Sequence, residues 1–400
     1  MANEMKRVPE LRFSQFDKEW EKTTIADIGE FYYGRSAPKW SITDDATIPC
    51  VRYGELYTKH KGTVKEIYSY TNIERNKLRF SKGGEILIPR VGEDPMDFAK
   101  CSYLPFSGVA IGEMISVYNT DQNPVFITAY FNSQMKYEFA KRVEGASVSN
   151  LYYSYLKDIN LRIPTIEEQQ KIGDFFSKLD RQIELEEQKL EKLKEQKKGY
   201  MQKIFSQELR FKDKNGNDYP DWKSSKIENQ LKERNERSGE GQMLSVTINS
   251  GIVKFNELDR KDNSSKDKSN YKVVKKDDIA YNSMRMWQGA SGKSDYDGIV
   301  SPAYTVIYPT QSTNSAFIEY KFKTYSMIHT FKINSQGLTS DTWNLKYKQL
   351  KNINIDMPVL KEQEKIGSFF KKIDQLINKQ KEKVEILQKN KNGFLQKMFV

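Results

Sequence analysis

Cysteine and histidine are nearly absent, with two of each among 400 residues. Cys50 and Cys101 lack metal-ligand spacing, and His60 and His329 stand far apart in the chain. The shortage argues against a disulfide framework, a histidine-rich metal centre and a histidine-based catalytic triad. No run of eighteen apolar residues occurs, and the start, MANEMKRVPELRF, has no signal-peptide apolar core. A membrane span is not expected, and a reduced, cytoplasmic setting is. What the chain does have is charge: Lys and Arg number 65 against 54 Asp and Glu, a formal net charge of +11. Such an excess favours a polyanionic partner, nucleic acid or an anionic surface. The length predicts two or three domains.

A long amphipathic segment occurs twice, from Ile166 to Phe205 and from Leu360 to Phe399, with matched positions 194 apart as in Pro164 and Pro358. In the first copy Ile172, Leu179, Leu193 and Tyr200 form one apolar row, and Phe176, Ile183, Leu190 and Ile204 the other. The second copy has Ile366, Ile373, Leu387 and Phe394 with Phe370, Ile377, Val384 and Met398. These rows are an a/d seam, which predicts two helices able to pair with each other. Polar interruptions fall at equivalent places, Glu186 with Gln380 and Lys197 with Lys391, and predict one pairing geometry used twice. Thr165 and Glu168 have the spacing of a capping box at the first start, whereas Val359 stands at the second. Each helix is entered through a short apolar strand and a proline, at Ile159–Pro164 and Ile353–Pro358.

A lead, Pro9 to Phe13, runs to Trp20 and opens a first variable region; Glu208 to Phe211 runs to Trp222 and opens a second. In mid-chain the helix runs directly into the lead, and at the chain ends that join is cut. The cut predicts a two-fold, closed arrangement with the two ends near each other. In the first region Glu85–Arg90 and Val109–Tyr118 read as strands, and Pro124–Arg142 reads as a helix. In the second, Asp278–Asn282 and Ala303–Tyr308 read as strands and Phe317–Ile328 as a helix, with a solvated Lys/Ser/Asn-rich loop from Arg260 to Lys276. The expected architecture is α+β. Two globular regions with mixed sheets, residues 1–156 and 207–350, alternate with long antiparallel coiled-coil helices, residues 157–206 and 351–400.

Two stretches resemble catalytic motifs and fail on their chemistry. Trp287 to Ser294 has the outline of a phosphate loop, but tryptophan stands where the first glycine belongs. Asn123-Pro-Val-Phe126 is close to an amino-methylation motif, yet Val125 replaces its second proline and no glycine-rich cofactor loop accompanies it; a helix start is the simpler reading. Asp277-Asp278 beside Lys275-Lys276 reads as a solvated loop rather than a nuclease site.

The order of these parts resembles the specificity subunits of type I restriction-modification systems. The residues that carry the likeness are Pro164 with Glu168-Gln169 and Pro358 with Glu362-Gln363, each continuing into Lys-Ile-Gly-x-Phe-Phe at Lys171–Phe176 and Lys365–Phe370. The lead and a glycine-to-asparagine tail before each helix, ending at Asn150 and Asn344, also fit. The resemblance implies a non-catalytic subunit that reads a bipartite duplex DNA target, one half-site per variable region. It implies two methyltransferase subunits that bind S-adenosylmethionine and methylate adenine. Two restriction-translocase subunits using ATP and Mg would complete the complex. No cofactor and no metal is implied for this chain.

Candidate DNA readers are basic, amide and aromatic residues in expected loops, since Arg forks onto guanine and Asn or Gln onto adenine. In the first region these are Arg35, Lys39, Arg52, Tyr53 and Arg90. In the second they are Arg234, Asn235 and Arg237, with the denser set Asn282, Ser283, Arg285, Trp287 and Gln288. Lys189, Lys192, Lys194, Lys197 and Lys198 on the first helix are read as solvation of its surface. Two other readings compete: a coiled-coil scaffold that touches no DNA, and a single-chain DNA methyltransferase.

Overall fold

The computed structural model describes residues 8–248, 250–258 and 267–400. Its contacts divide the chain into a first unit, Met1–Glu187 with Glu382–Val400, and a second, Gln188–Lys381. The sequence segment 260–266, part of the expected basic loop, lies outside the described residues, as do residues 1–7.

The first unit is built on an antiparallel sheet of β1 (Gly29–Tyr33), β2 (Glu85–Pro89), β3 (Ser102–Leu104) and β4 (Ile115–Thr120), in the order β1-β4-β2-β3. Strand alternation sends Ile86 and Ile88 of β2 to one face and Leu87 to the other. The first face packs on the helix Pro124–Gln134 through Phe126, Tyr130 and Phe131, and on Trp20, Phe176 and Phe399. The other packs on a mixed second sheet, where Ile48–Val51 runs parallel to Ser107–Ile111.

Three expectations change here. Val109–Tyr118 is not one strand: Ser107–Ile111 and Ile115–Thr120 belong to different sheets. The chain crosses between them at Gly112, whose N–H donates to Val51 O at 2.9 Å and where a Cβ would stand 3.1 Å from that oxygen. The helix expected over Pro124–Arg142 ends at Gln134, and a separate helix Lys136–Ala140 follows Met135, which leaves the helical region at ψ 2°. In the second unit the expected Phe317–Ile328 helix is two, Ser315–Phe322 and Tyr325–Asn334, because Thr324 caps the second by accepting from Met327 N–H.

The second unit repeats the first sheet with β5 (Leu231–Glu233), β6 (Ile279–Asn282), β7 (Ser291–Lys293) and β8 (Tyr304–Pro309), in the order β5-β8-β6-β7. Ile279 and Tyr281 face the helices while Ala280 faces away, as in β2. Within the stretch expected as a loop, Lys272–Val274 is a strand paired with Gly298–Val300.

The long helices span Ile166–Phe205 and Leu360–Lys397. In the first unit Asp180 meets Lys391 at 2.5 Å, Glu186 meets Lys383, and the Phe176 and Phe399 rings stack at 5.8 Å, so the two helices run antiparallel. In the second unit Lys197 meets Asp374 at 2.5 Å and the Tyr200 and Phe369 rings meet edge-on at 5.2 Å. Lys197 and Lys391, the matched polar interruptions, therefore take matched partners, Asp374 and Asp180. Of the seam, Ile172, Phe176, Ile183, Leu190, Ile204, Ile366, Phe370, Val384 and Met398 are buried. Leu179, Leu193, Ile373, Ile377, Leu387 and Phe394 are half-buried, and Tyr200 is exposed.

The Glu-Gln pair that opens each helix has a physical job. The fully buried Glu168 receives a two-toothed grip from Arg12 (2.8 and 2.7 Å), and Arg12 also donates to Lys18 O. Arg210 grips Glu362 in the same way (3.2 and 2.8 Å) and donates to Pro220 O. This charge-assisted fork pins the lead to the helix. It also corrects the capping-box expectation, because both Glu168 oxygens turn to Arg12 rather than back to the helix start. Gln169 donates to Pro164 O and accepts from Asn123 N–H, and Gln363 does the same with Pro358 and Asn314. Asn123 and Asn314 in turn cap the helices beginning at Pro124 and Ser315. Those helix starts press on Gly173 and Gly367, where a Cβ would lie 3.0 Å from Asn123 Oδ1 and 2.9 Å from Ala316 Cβ. The glycine of Lys-Ile-Gly is thus a contact surface.

Candidate nucleic-acid interface

In the first unit the turn Gly112–Met114 gathers three chain segments. Arg35 N–H donates to Ile111 O at 2.8 Å, Glu113 N–H to Ser36 O at 3.0 Å, and Arg90 N–H to Met114 O at 3.0 Å. Val51, whose carbonyl holds Gly112, leads into Arg52 and Tyr53, where Glu55 accepts from Arg52 N–H at 2.8 Å and closes the start of the helix Tyr53–Thr58. Arg35, Arg52, Tyr53 and Arg90 therefore converge on one turn. Ser36 and Ala37 adopt φ of 60° and 63° there, a conformation that costs energy without glycine. The Arg90 guanidinium sits 4.7 Å from the Tyr33 ring, and burial pushes the Tyr33 phenol above its ordinary pKa. Lys39 is exposed on the separate turn Lys39–Ser41. Arg79, absent from the sequence-based set, reaches Tyr33 O at 2.8 Å and lies exposed beside Tyr32. Its place depends on pairing between distant strands, and nothing local marks it.

In the second unit Asn282 to Ala290 folds into a closed loop at the end of β6. Asn282 Oδ1 accepts from Met284 N–H at 3.0 Å, Asn282 N–H donates to Ala290 O at 2.9 Å, and Met286 is fully buried beneath. Arg285 is exposed and bonds Gln288 Oε1 at 3.4 Å. Trp287 donates to Met284 O at 3.0 Å and packs edge-on against Trp343 at 5.2 Å. Lys323 Nζ underpins the loop by donating to Gly289 O and, at 3.0 Å, to Ile248 O. Burial holds this ammonium well below the usual lysine value, at about 8.

Two expected readers are occupied inside the fold. Ser283 is buried and shares a 2.8 Å hydrogen bond with Thr305. Arg234 forks onto Asp278 at 2.6 and 2.9 Å and lies over the Tyr308 ring. The same pairing corrects the reading of Asp277-Asp278 as solvated: Asp278 is buried, and only Asp277 is exposed. Asn235 is exposed, and Arg237 is exposed with its guanidinium on Asn270.

The stretches that resembled catalytic motifs are structural. Asn123 gives Oδ1 to the helix cap and Nδ2 to Gln170 at 2.7 Å. Trp287 to Ser294 passes from a tight turn into β7, whose Gly292 lies flat against Gly251. His60 is buried, with its pKa lowered by desolvation, and His329 is exposed beside Tyr325. Among the described residues no helix is long and apolar enough to cross a membrane.

Comparison with known proteins agrees with this duplicated architecture. The model of the type I restriction modification DNA specificity domain matches twice, over residues 17–195 and 201–388. The crystal structure of a type I restriction-modification system S subunit from M. genitalium is similar at a TM-score of 0.61 and 15% identity, covering 98% of this chain and 99% of that one. A chain from a structural study of complex assembly and conformational transition of the type I R-M system is similar at a TM-score of 0.53 and 15% identity, covering 95% and 97%. With both family matches lying on repeated units of one sheet order, the chain belongs to the type I restriction-modification DNA specificity family.

Proposed function

We propose that this chain reads a bipartite duplex DNA sequence, one half-site through each unit. The observation that carries the reading is one shared sheet order bearing two chemically different loop clusters at matched strand ends. The first cluster offers Arg35, Arg52, Tyr53 and Arg90; the second offers Asn282, Arg285, Trp287 and Gln288. Guanidinium forks suit guanine and amides suit adenine, so different clusters would read different bases. The continuous long helices, about 60 Å at 1.5 Å per residue, would set the unread gap. The boundaries proposed for these parts are residues 1–156, 157–206, 207–350 and 351–400. The coiled-coil helices would dock two methyltransferase subunits carrying S-adenosylmethionine. Two restriction subunits using ATP and Mg would complete the cleaving complex.

The chain itself would perform no catalysis. The occupied Asn123 supports this over the single-chain methyltransferase reading. Methylome sequencing of a host carrying this chain with its methyltransferase partner tests the proposal. A split adenine-methylated motif that disappears when the chain is deleted is expected. Methylation by the purified chain alone would overturn it.

A further inference from the structure

Beside each proposed reading cluster stands a hairpin that the two units share although their other loops differ. In the first unit Asn150 and Glu144 exchange backbone hydrogen bonds at 2.7 and 2.9 Å, with Gly145 at φ 115°. In the second Asn344 and Gln336 do so at 2.8 and 3.0 Å, with Gly337 at φ 146°. Such φ values favour glycine, and at Gly337 a Cβ would also meet Thr342 O at 2.6 Å.

Both hairpins are tied to a reading strand. Leu151 N–H donates to Arg90 O at 2.9 Å, and Leu345 N–H to Ser283 O at 2.8 Å. Ser149 and Asn150 pair with Gly92 and Val91 directly after Arg90, and Trp343 packs on Trp287. The tips combine an aliphatic side chain with hydroxyls, and the second also carries the exposed carboxylate Asp341. Val148 is 58% exposed and Leu338 fully so, beside the exposed Ser147 and Ser340.

We infer that these hairpins are DNA-backbone arms. The hydroxyls would donate to phosphate oxygens and the aliphatic tips would lie on deoxyribose. Contacts of that kind position a protein on duplex DNA without reading its sequence. Their presence in both units, next to clusters that differ, fits a sequence-independent role. The inference deepens the DNA-reading proposal and rests on it.

The test uses the full chain assembled with its methyltransferase partner. Ser147→Glu places a carboxylate at the first tip and Ser340→Glu adds a second one beside Asp341, where phosphate would repel the added charge. Val148→Ser and Leu338→Ser remove the aliphatic contact. Duplex affinity and the methylated motif are measured for each. The charged variants should bind about tenfold more weakly and the serine variants a few-fold more weakly. Both half-sites should keep their base preferences. Unchanged affinity would overturn the inference, and so would an altered base preference, since that means the tips read sequence. Loss of assembly with intact DNA affinity in the chain alone would assign the hairpins to a protein partner instead. If the unsubstituted complex showed no sequence-specific binding, the DNA-reading proposal itself would fall, a result visible before any variant is made.

Discussion

Leu11 donates its backbone N–H to Lys397 O at 2.8 Å, and Leu209 makes the equivalent bond to Lys203 at 3.0 Å. One bond closes a short turn in mid-chain, and the other brings together the two ends of the described chain. Lead, sheet and long helix thus form the same joint in each unit, whether or not the chain is continuous there. Arg12 with Glu168 and Arg210 with Glu362 are the charge-assisted forks of that joint.

Replacing Arg12 by Ala leaves the buried Glu168 carboxylate without its partner. The expected loss of stability is about 3 to 5 kcal/mol, read by urea unfolding. Arg12→Lys should recover only part of it, because an ammonium cannot fork onto both oxygens. Arg210→Ala should behave alike, and a negligible effect in either would show that the joint is held by packing alone.

The helix glycines divide by surroundings. Gly367→Ala should cost about 1 to 3 kcal/mol, because the new methyl meets Ala316 Cβ at 2.9 Å. Gly199→Ala and Gly393→Ala face open space and should stabilise by roughly 0.5 to 1 kcal/mol through helix propensity. Thermal unfolding of the three variants separates the two outcomes.

Lys323 gives a pH signature. Its folded pKa of about 8 lies below the ordinary lysine value of 10.5 because burial disfavours the ammonium. Between these values the unfolded chain binds more protons, so this residue's contribution to stability rises with pH. Below about 8 both states are protonated and the burial penalty is constant. The difference in unfolding free energy between the natural protein and Lys323→Met should therefore shift in favour of lysine from pH 7.5 to 10. A flat difference across that range would mean that the ammonium is solvated.

Arg285→Ala should relax preference at one base pair of the second half-site by about 1 to 3 kcal/mol and leave the first half-site unchanged. Arg234→Ala should lower stability by removing the partner of buried Asp278. Methylated-motif profiling together with denaturation distinguishes the two arginines.

The duplicated helix was legible because its two copies keep an apolar repeat and matched polar interruptions, and Lys197 and Lys391 do find matched partners. The joint was half legible. Glu168 was visible as a motif residue, but a capping box explains its spacing equally well, and only the fold brings Arg12 to it. Reading loops were least legible. Ser283 and Arg285 look alike as loop residues, yet the strand end buries one against Thr305 and leaves the other in solvent. Val109–Tyr118 reads as one apolar run because a strand that crosses between sheets keeps both halves buried. Arg79 was missed since its position follows from pairing with distant strands, and the glycine-to-asparagine tails were visible as motifs while their docking beside Arg90 and Ser283 was not.

The most direct test of the central claim exchanges residues 222–350 for the corresponding region of another specificity subunit, followed by methylome sequencing. The account predicts a motif in which one half-site is new, while the other half-site and the gap between them are retained. A motif changed in both halves, or in neither, would contradict it.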